Sequence, residues 1–193
     1  MKVGGLVKTS LLDYPGKIST VVFTQGCNLR CYYCHNASLL DFHKLSGLIT
    51  EEEIFNYLDR RKNLIDGVVV SGGEPTLQPD LEEFICKIKE KGYLVKLDTN
   101  GTSPRVIESL LQKGLLDYLA MDIKATTGMY SHISGKFVDV SLIEKSVAII
   151  KSSGVPYHFR TTMAPCLGQI EIQDIRQWIG INEKLVLQEL RQY

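Results

Sequence analysis

Short runs of β-branched and aromatic residues alternate with stretches of helical period along almost the whole chain, and this alternation restricts the fold more than any other feature. Residues 18–24, bounded by Pro15-Gly16 and Gly26, read as a first buried strand. Further strands follow at 67–70, 93–97, 118–122, 155–162 and 184–190, with helices between them at 51–64, 79–91, 104–113, near 141–151 and at 172–179. Thr50 and Glu53 form a capping box for the first helix, Ser103 is placed to cap the third, and Gly92 and Gly114 stand where helices need a left-handed end. Nearly continuous apolar strands in strict alternation with helices belong to a parallel sheet covered on both faces. A closed eight-unit barrel takes about 250 residues, so 193 residues supply about six units. The expected fold is α/β, a partial (β/α)6 TIM-like barrel with parallel strands, open along one side. Residues 3–8 either add a strand beside the first or form a loosely held terminus. No linker, low-complexity tract or charge block divides the chain, and residues 1–193 are read as a single domain.

A hydrophobic fraction of 44% with 23% charged residues suits a globular domain with a full core. The formal net charge of +0 provides no concentrated positive field. That argues against nucleic-acid and membrane partners and for protein or small molecules. The N-terminal stretch lacks the order of a secretory signal and no apolar segment approaches bilayer length, so a cytoplasmic location is expected. In a reducing compartment the five cysteines are ligands or core residues rather than bridges. Cys86, amid Leu81, Phe84, Ile85 and Ile88, reads as packing, and Cys166 has no evident partner. His43, His132 and His158 read as surface or packing residues, and Trp178 as core.

Cys27, Cys31 and Cys34 place three thiols within eight residues directly after the first strand. Cubane iron–sulfur clusters take four ligands, usually cysteine, so three would leave one iron open. Cys27, Cys31, Cys34 and His35 also make a Cys3His donor set for zinc, although structural zinc sites usually draw on two separated pairs. On these residues alone both metals stay open. The other unusual motifs also fall at strand ends, where the loops of a parallel α/β fold converge on one mouth. Ser71-Gly72-Gly73-Glu74-Pro75 follows the second strand, Asp98-Thr99-Asn100-Gly101 the third, Asp122-Ile123-Lys124 the fourth, and Arg160-Thr161-Thr162 closes the fifth. Gly72-Gly73 would let a ligand approach the backbone, with Glu74 facing a cationic group; a plain strand-to-helix turn with a solvated acid is the other reading. Asp98 and Asp122, set among apolar residues, each require a cation or a donor, and helix capping explains Asp98 equally well. Lys124 and Arg160 are the available cations, with a solvated surface role as the alternative for Lys124.

The spacing Cys27-x3-Cys31-x2-Cys34 with Tyr33 before the last cysteine, followed by Gly72-Gly73-Glu74-Pro75, resembles the radical S-adenosylmethionine (SAM) superfamily. Asp98-Thr99-Asn100-Gly101, Asp122-Ile123-Lys124 and the opening Ser10-Leu11-Leu12-Asp13-Tyr14-Pro15-Gly16-Lys17 narrow the resemblance to glycyl-radical-enzyme activating proteins, nearest those of anaerobic ribonucleoside-triphosphate reductase. The resemblance implies that Cys27, Cys31 and Cys34 hold three irons of a [4Fe–4S] cluster whose open iron is chelated by the methionine part of SAM. It further implies that Gly72, Gly73 and Glu74 receive the methionine ammonium and that Tyr33 and His35 lie near adenine. Asp122 and Lys124 would contact the amino acid part of SAM, with Arg160 a further contact. Asp98, Thr99 and Asp122 match positions that hold a monovalent cation in some enzymes of this type. The implied activity is reductive cleavage of SAM to a 5′-deoxyadenosyl radical, which abstracts a glycine Cα hydrogen from a partner glycyl radical enzyme. A low-potential donor such as flavodoxin or ferredoxin would supply the electron. The alternative is a radical SAM enzyme acting on a small metabolite, as 7-carboxy-7-deazaguanine synthase does. Residues 37–49 carry no motif that either reading explains.

Overall fold

The computed structural model describes residues 1–44 and 46–190. Leu45, inside the 37–49 loop, and residues 191–193, at the end of the expected 1–193 unit, lie outside them. Seven strands, β1 (Val3–Ser10), β2 (Ser19–Thr24), β3 (Gly67–Gly72), β4 (Leu94–Thr99), β5 (Tyr118–Asp122), β6 (Tyr157–Thr162) and β7 (Leu185–Gln188), form one sheet in that spatial order. β2 to β7 run parallel, and β1 lies antiparallel to β2. β1 and β7 stand at opposite edges of the sheet, so the wall is a partial barrel with a lateral gap. Residues 3–8 thus supply an edge strand, held further by the bridge between Val3 and Ile49.

Six helices connect or flank these strands: α1 (Glu51–Arg60), α2 (Leu81–Glu90), α3 (Pro104–Gln112), α4 (Tyr130–Ser134), α5 (Val140–Ser152) and α6 (Gln169–Ile179). The capping box forms as the sequence requires: Glu53 N–H donates to Thr50 Oγ1 at 3.2 Å, and Thr50 N–H donates to Glu53 Oε2 at 2.9 Å. α1 stops at Arg60, short of the expected residue 64, and Asn63 turns left-handed. Continuing the helix would bury nothing, because Leu64 faces solvent. Ser103 occupies the N-cap position of α3, but its side chain makes no capping bond; Pro104, which needs no N–H partner, begins that helix instead. α6 begins at Gln169, earlier than expected, because Glu171 reaches back to accept from Gly168 N–H at 2.8 Å. Gly92 and Gly114 both adopt positive φ after α2 and α3, as anticipated.

Alternate residues of each strand face opposite sides of the sheet. Val22, Val68, Val70, Val95, Leu97, Leu119, Met121 and Phe159 form the outer face and pack with Ile54, Leu58, Phe84, Ile88, Ile107, Ile143 and Ile175 of the helices. Each such fully buried side chain contributes roughly 1.5–3 kcal/mol, and this layer is the core of the protein. The inner face differs in kind. Lys96, Asp98, Asp122, His158 and Arg160 project there, and strand register aligns Asp98 with Ala120 and Asp122 with Arg160. The floor of the barrel is closed by Tyr14, which packs with Val21 and Val69 and lies 5.7 Å from the ring of Tyr118. Cys86, read as a packing residue, is half-buried on α2. Trp178 packs against the core edge-on to Tyr130 at 6.1 Å. Among the described residues no helix is long and apolar enough to cross a membrane.

Candidate active site at the carboxyl ends of the strands

The cysteine loop leaves β2 through Gly26, whose φ of +100° and contact with Phe42 leave no room for a side chain. Residues 37–42 fold back over this point: Gly26 N–H donates to Leu39 O at 2.6 Å and Cys27 N–H to Leu40 O at 3.3 Å. The segment for which the sequence offered no role is therefore a cover on the cysteine loop. From the other side, Arg30 N–H donates to Ser134 O at the end of α4 at 2.8 Å. The Arg30 guanidinium closes on the carbonyls of Cys27 and Leu29 at 2.9 and 3.0 Å. Cys27 is buried, and burial pushes its thiol up to about 11, with the Cys31 thiol raised for the same reason. Cys166 does have a partner, the hydroxyl of exposed Tyr32 at 3.4 Å.

The two glycines at the end of β3 serve a purpose that the sequence reading did not anticipate. A Cβ on Gly72 would stand 2.2 Å from Thr24 N, and one on Gly73 would stand 2.1 Å from Gly26 O. Their bare backbone lets the β3 loop pass against the cysteine loop, with Glu74 N–H donating to Gly26 O at 2.8 Å. Glu74 is fully buried rather than solvated. Its Oε1 accepts from Thr76 N–H at 3.1 Å, Thr76 Oγ1 at 2.5 Å and Thr99 Oγ1 at 2.7 Å, while Oε2 accepts from Asn100 N–H at 2.7 Å. Burial raises its pKa, opposed by these donors. Since a carboxylate has about four lone-pair sites, two on each oxygen, Oε2 can still accept one more donor.

Asp98 and Asp122 do not cap helices. They alternate with three cations in a chain across the inner wall: Lys96, Asp98, Arg160, Asp122, Lys124. Lys96 Nζ bonds Asp98 Oδ1; Arg160 bridges Asp98 Oδ2 through Nη1 at 2.9 Å and Asp122 Oδ1 through Nε at 2.8 Å; Lys124 Nζ meets Asp122 Oδ2 at 2.9 Å. Burial alone would push both carboxyls up, but Arg160 with Lys96 or Lys124 outweighs it and holds them below the usual range. Burial opposes the charges on Lys124 and Arg160 as well, and the aspartates overcome it. Each of the four carboxylate oxygens thus already has a cationic partner. A monovalent cation at Asp98, Thr99 and Asp122 would share these oxygens with the cations already bound to them. Lys96, almost fully buried, is the member that sequence reading missed. Behind it, His158 Nδ1 and the Tyr118 hydroxyl share a 3.0 Å hydrogen bond.

These groups open onto one cavity of about 640 Å3. Cys27, Cys31, Tyr33, Cys34 and His35 line it from the β2 loop; Gly72, Gly73 and Glu74 from β3; Asp98 and Thr99 from β4; Asp122, Lys124 and Arg160 from β5 and β6. All the residues singled out in the sequence are therefore brought together. The cavity also reaches Phe23 of β2 and Gln188 of β7, an edge strand of the sheet.

A protein-family model described as the radical SAM superfamily matches residues 21–179, most of the chain. The chain belongs to the radical SAM superfamily. Within it, a Methanocaldococcus jannaschii protein provisionally named as a glycyl-radical enzyme activating enzyme is 40% identical over 184 residues, covering 92% of this chain and 75% of that protein. The pyruvate formate-lyase-activating enzyme of Clostridium pasteurianum is 38% identical over 143 residues, 70% of this chain and 58% of that one. The chain thus spans little more than half of the second relative's length. Among solved structures, Streptococcus suis SuiB bound to precursor peptide SuiA aligns with a TM-score of 0.66 at 14% identity, covering 89% of this chain and 38% of that one. QueE from Escherichia coli aligns at 0.54 and 16% identity, covering 97% and 93%. At such identities these likenesses concern the fold alone.

Radical SAM proteins work with a [4Fe–4S] cluster and SAM, and the residues present fit both. Among the described residues no three His, Cys, Asp or Glu side chains gather closely enough to hold a single metal ion. Cys27, Cys31 and Cys34 line one cavity, and thiolates are the ligand type that a cubane takes. The buried Tyr33 hydroxyl in the same cavity has no hydrogen-bond partner, which suits a polar ligand atom beside it.

Proposed function

We propose that this chain is a radical SAM activase: it uses SAM to remove a hydrogen atom from the Cα of a glycine in a partner glycyl radical enzyme. The single observation that carries the reading is one cavity combining three cysteine sulfurs, a buried carboxylate and a chain of fixed charges, in a chain 40% identical to the M. jannaschii protein. When bound, the reduced cluster and SAM supply one-electron cleavage of the sulfonium to methionine and a 5′-deoxyadenosyl radical, the species that takes the hydrogen atom.

The chain's own residues bind, orient and shield. Cys27, Cys31 and Cys34 are assigned to three irons, and each must lose its proton on loading, which for Cys27 and Cys31 means release from a thiol that burial has raised. Glu74 Oε2, with its remaining acceptor site, is assigned to the methionine ammonium beside the Gly72 and Gly73 backbone. Lys124 and Arg160, held in place by Asp122 and Asp98, face the methionine carboxylate. The ionic chain carries three cations against two carboxylates, and the surplus positive charge favours an anion there. A monovalent cation at Asp98, Thr99 and Asp122 belongs to the same proposal, sharing carboxylate oxygens with these side chains. Tyr33 and His35 line the adenine side. The lateral gap between the edge strands β1 and β7 is assigned to the entry of an extended glycyl loop.

Anaerobic ribonucleoside-triphosphate reductase is the first partner to test, with pyruvate formate-lyase beside it and flavodoxin or ferredoxin as electron donor. Reconstituted, reduced protein mixed with SAM and the partner is expected to generate a glycyl-radical doublet in the partner's spin-resonance spectrum. 5′-Deoxyadenosine formed with no radical in either partner would argue instead for a small-metabolite substrate, a reading that now rests on likeness of fold alone. Cys31→Ala is expected to lose both iron and SAM cleavage, and turnover in that variant would refute the ligand assignment.

A further inference from the structure

Asn100 touches both the proposed cluster loop and the proposed SAM-binding carboxylate, and no role has so far been given to it. Its backbone N–H donates to Glu74 Oε2 at 2.7 Å. Its side-chain oxygen accepts from Thr102 N–H at 3.0 Å and from Thr102 Oγ1 at 2.7 Å. Because Thr102 N–H can only donate, the amide orientation is fixed, and the NH2 group must point the other way. There it meets Asn28 Oδ1 at 3.0 Å and Cys27 Sγ at 3.9 Å. One hydrogen thus goes to each neighbour. Cys27 Sγ also receives Leu29 N–H at 3.4 Å, so this sulfur stands under two N–H dipoles. Asn100 is itself buried, and Asn28 Nδ2 donates to Thr102 Oγ1 at 2.9 Å, closing the ring that fixes the amide.

We propose that Asn100 is a positioning residue that sets the reduction potential of the cluster through an N–H···S bond to Cys27. The inference rests on the reading that Cys27 is a cluster ligand. Hydrogen bonds to the sulfurs of iron–sulfur clusters help set their potential, because the positive end of an N–H dipole stabilises the added electron. Asn100 shares that task with Leu29, but its backbone is also tied to Glu74. A ligand drawn to Glu74 Oε2 therefore acts on the same short segment that presents the amide to Cys27.

The test is a redox titration of the anaerobically reconstituted protein, followed by the spin-resonance signal of the reduced cluster. Asn100→Leu removes the donor without adding charge. Asn100→Asp keeps the acceptor for Thr102, and so the turn, should the leucine variant fail to load. Thr102→Val is the control, since it disturbs the same turn but touches no sulfur. Both Asn100 variants are expected to load iron and to show a more negative midpoint potential than wild type, with Thr102→Val unchanged. Loaded Asn100 variants with the wild-type potential would overturn the proposal, as would an equal shift in Thr102→Val. A wild-type protein that takes up no iron would instead remove the cluster reading beneath it.

Discussion

At the scale of residues, the buried ionic chain is where substitution is expected to cost most. Removing one partner from a buried pair typically costs about 3–5 kcal/mol, because the other charge is left stranded. Lys96→Met leaves Asp98 with Arg160 as its one cationic partner among the described residues and is expected to lower the unfolding free energy by about 3 kcal/mol in denaturant titrations; a change below about 0.5 kcal/mol, the size expected of a surface substitution, would contradict the account. His158 provides a pH test of the same wall. Burial, with Arg160 and Lys96 nearby, lowers its pKa from 6.5 to about 4, against the weaker opposing effect of Asp98. Between those values the unfolded chain binds the proton and the folded chain does not, so stability present above pH 6.5 is lost as the pH falls towards 4. His158→Gln is expected to flatten the melting temperature over that window, and an unchanged profile would show that the ring is not held neutral. Lys96 was legible in principle, since it stands two residues before Asp98 on one strand and must share its face. It passed as part of an apolar run because periodicity does not say which face of a strand looks into a cavity.

At the scale of elements, the cysteine loop owes its shape to neighbours distant in sequence. Glu74 after the β3 glycines, the end of α4 and the 37–42 segment each bond its backbone, and none of these contacts could be read from local pattern. Strands and helices were legible because their period and caps are local. Gly72-Gly73 was recognised as a site where backbone comes close, but what comes close to the missing Cβ positions is the end of β2 at Gly72 and the cysteine loop at Gly73. Gly73→Ala separates the two ideas. Gly73 has no left-handed φ to lose, so the variant acts only through the 2.1 Å approach of its Cβ to Gly26 O. It is expected to keep native helix content by circular dichroism while binding iron at a clearly lower stoichiometry; full iron loading would show that the loop can yield without consequence.

At the scale of the molecule, the six parallel strands that length and alternation implied are present, with β1 added at the edge and the gap left open. What the sequence pattern hid was the division of labour between the two faces, one an apolar core under helices and the other a charged wall around a cavity. The convergence of five strand ends on that cavity was readable from topology, whereas the ligands it takes are argued from side-chain chemistry and kinship. The central claim is that three cysteines leave one cluster iron to SAM. The most direct measurement is electron–nuclear double resonance on the reduced protein with SAM labelled at the methionine amino nitrogen and carboxylate oxygens. The account predicts hyperfine coupling from both labels to the cluster, retained in Asn100→Leu. SAM that binds with neither label coupled, or a cluster whose fourth iron is held by the protein, would contradict it.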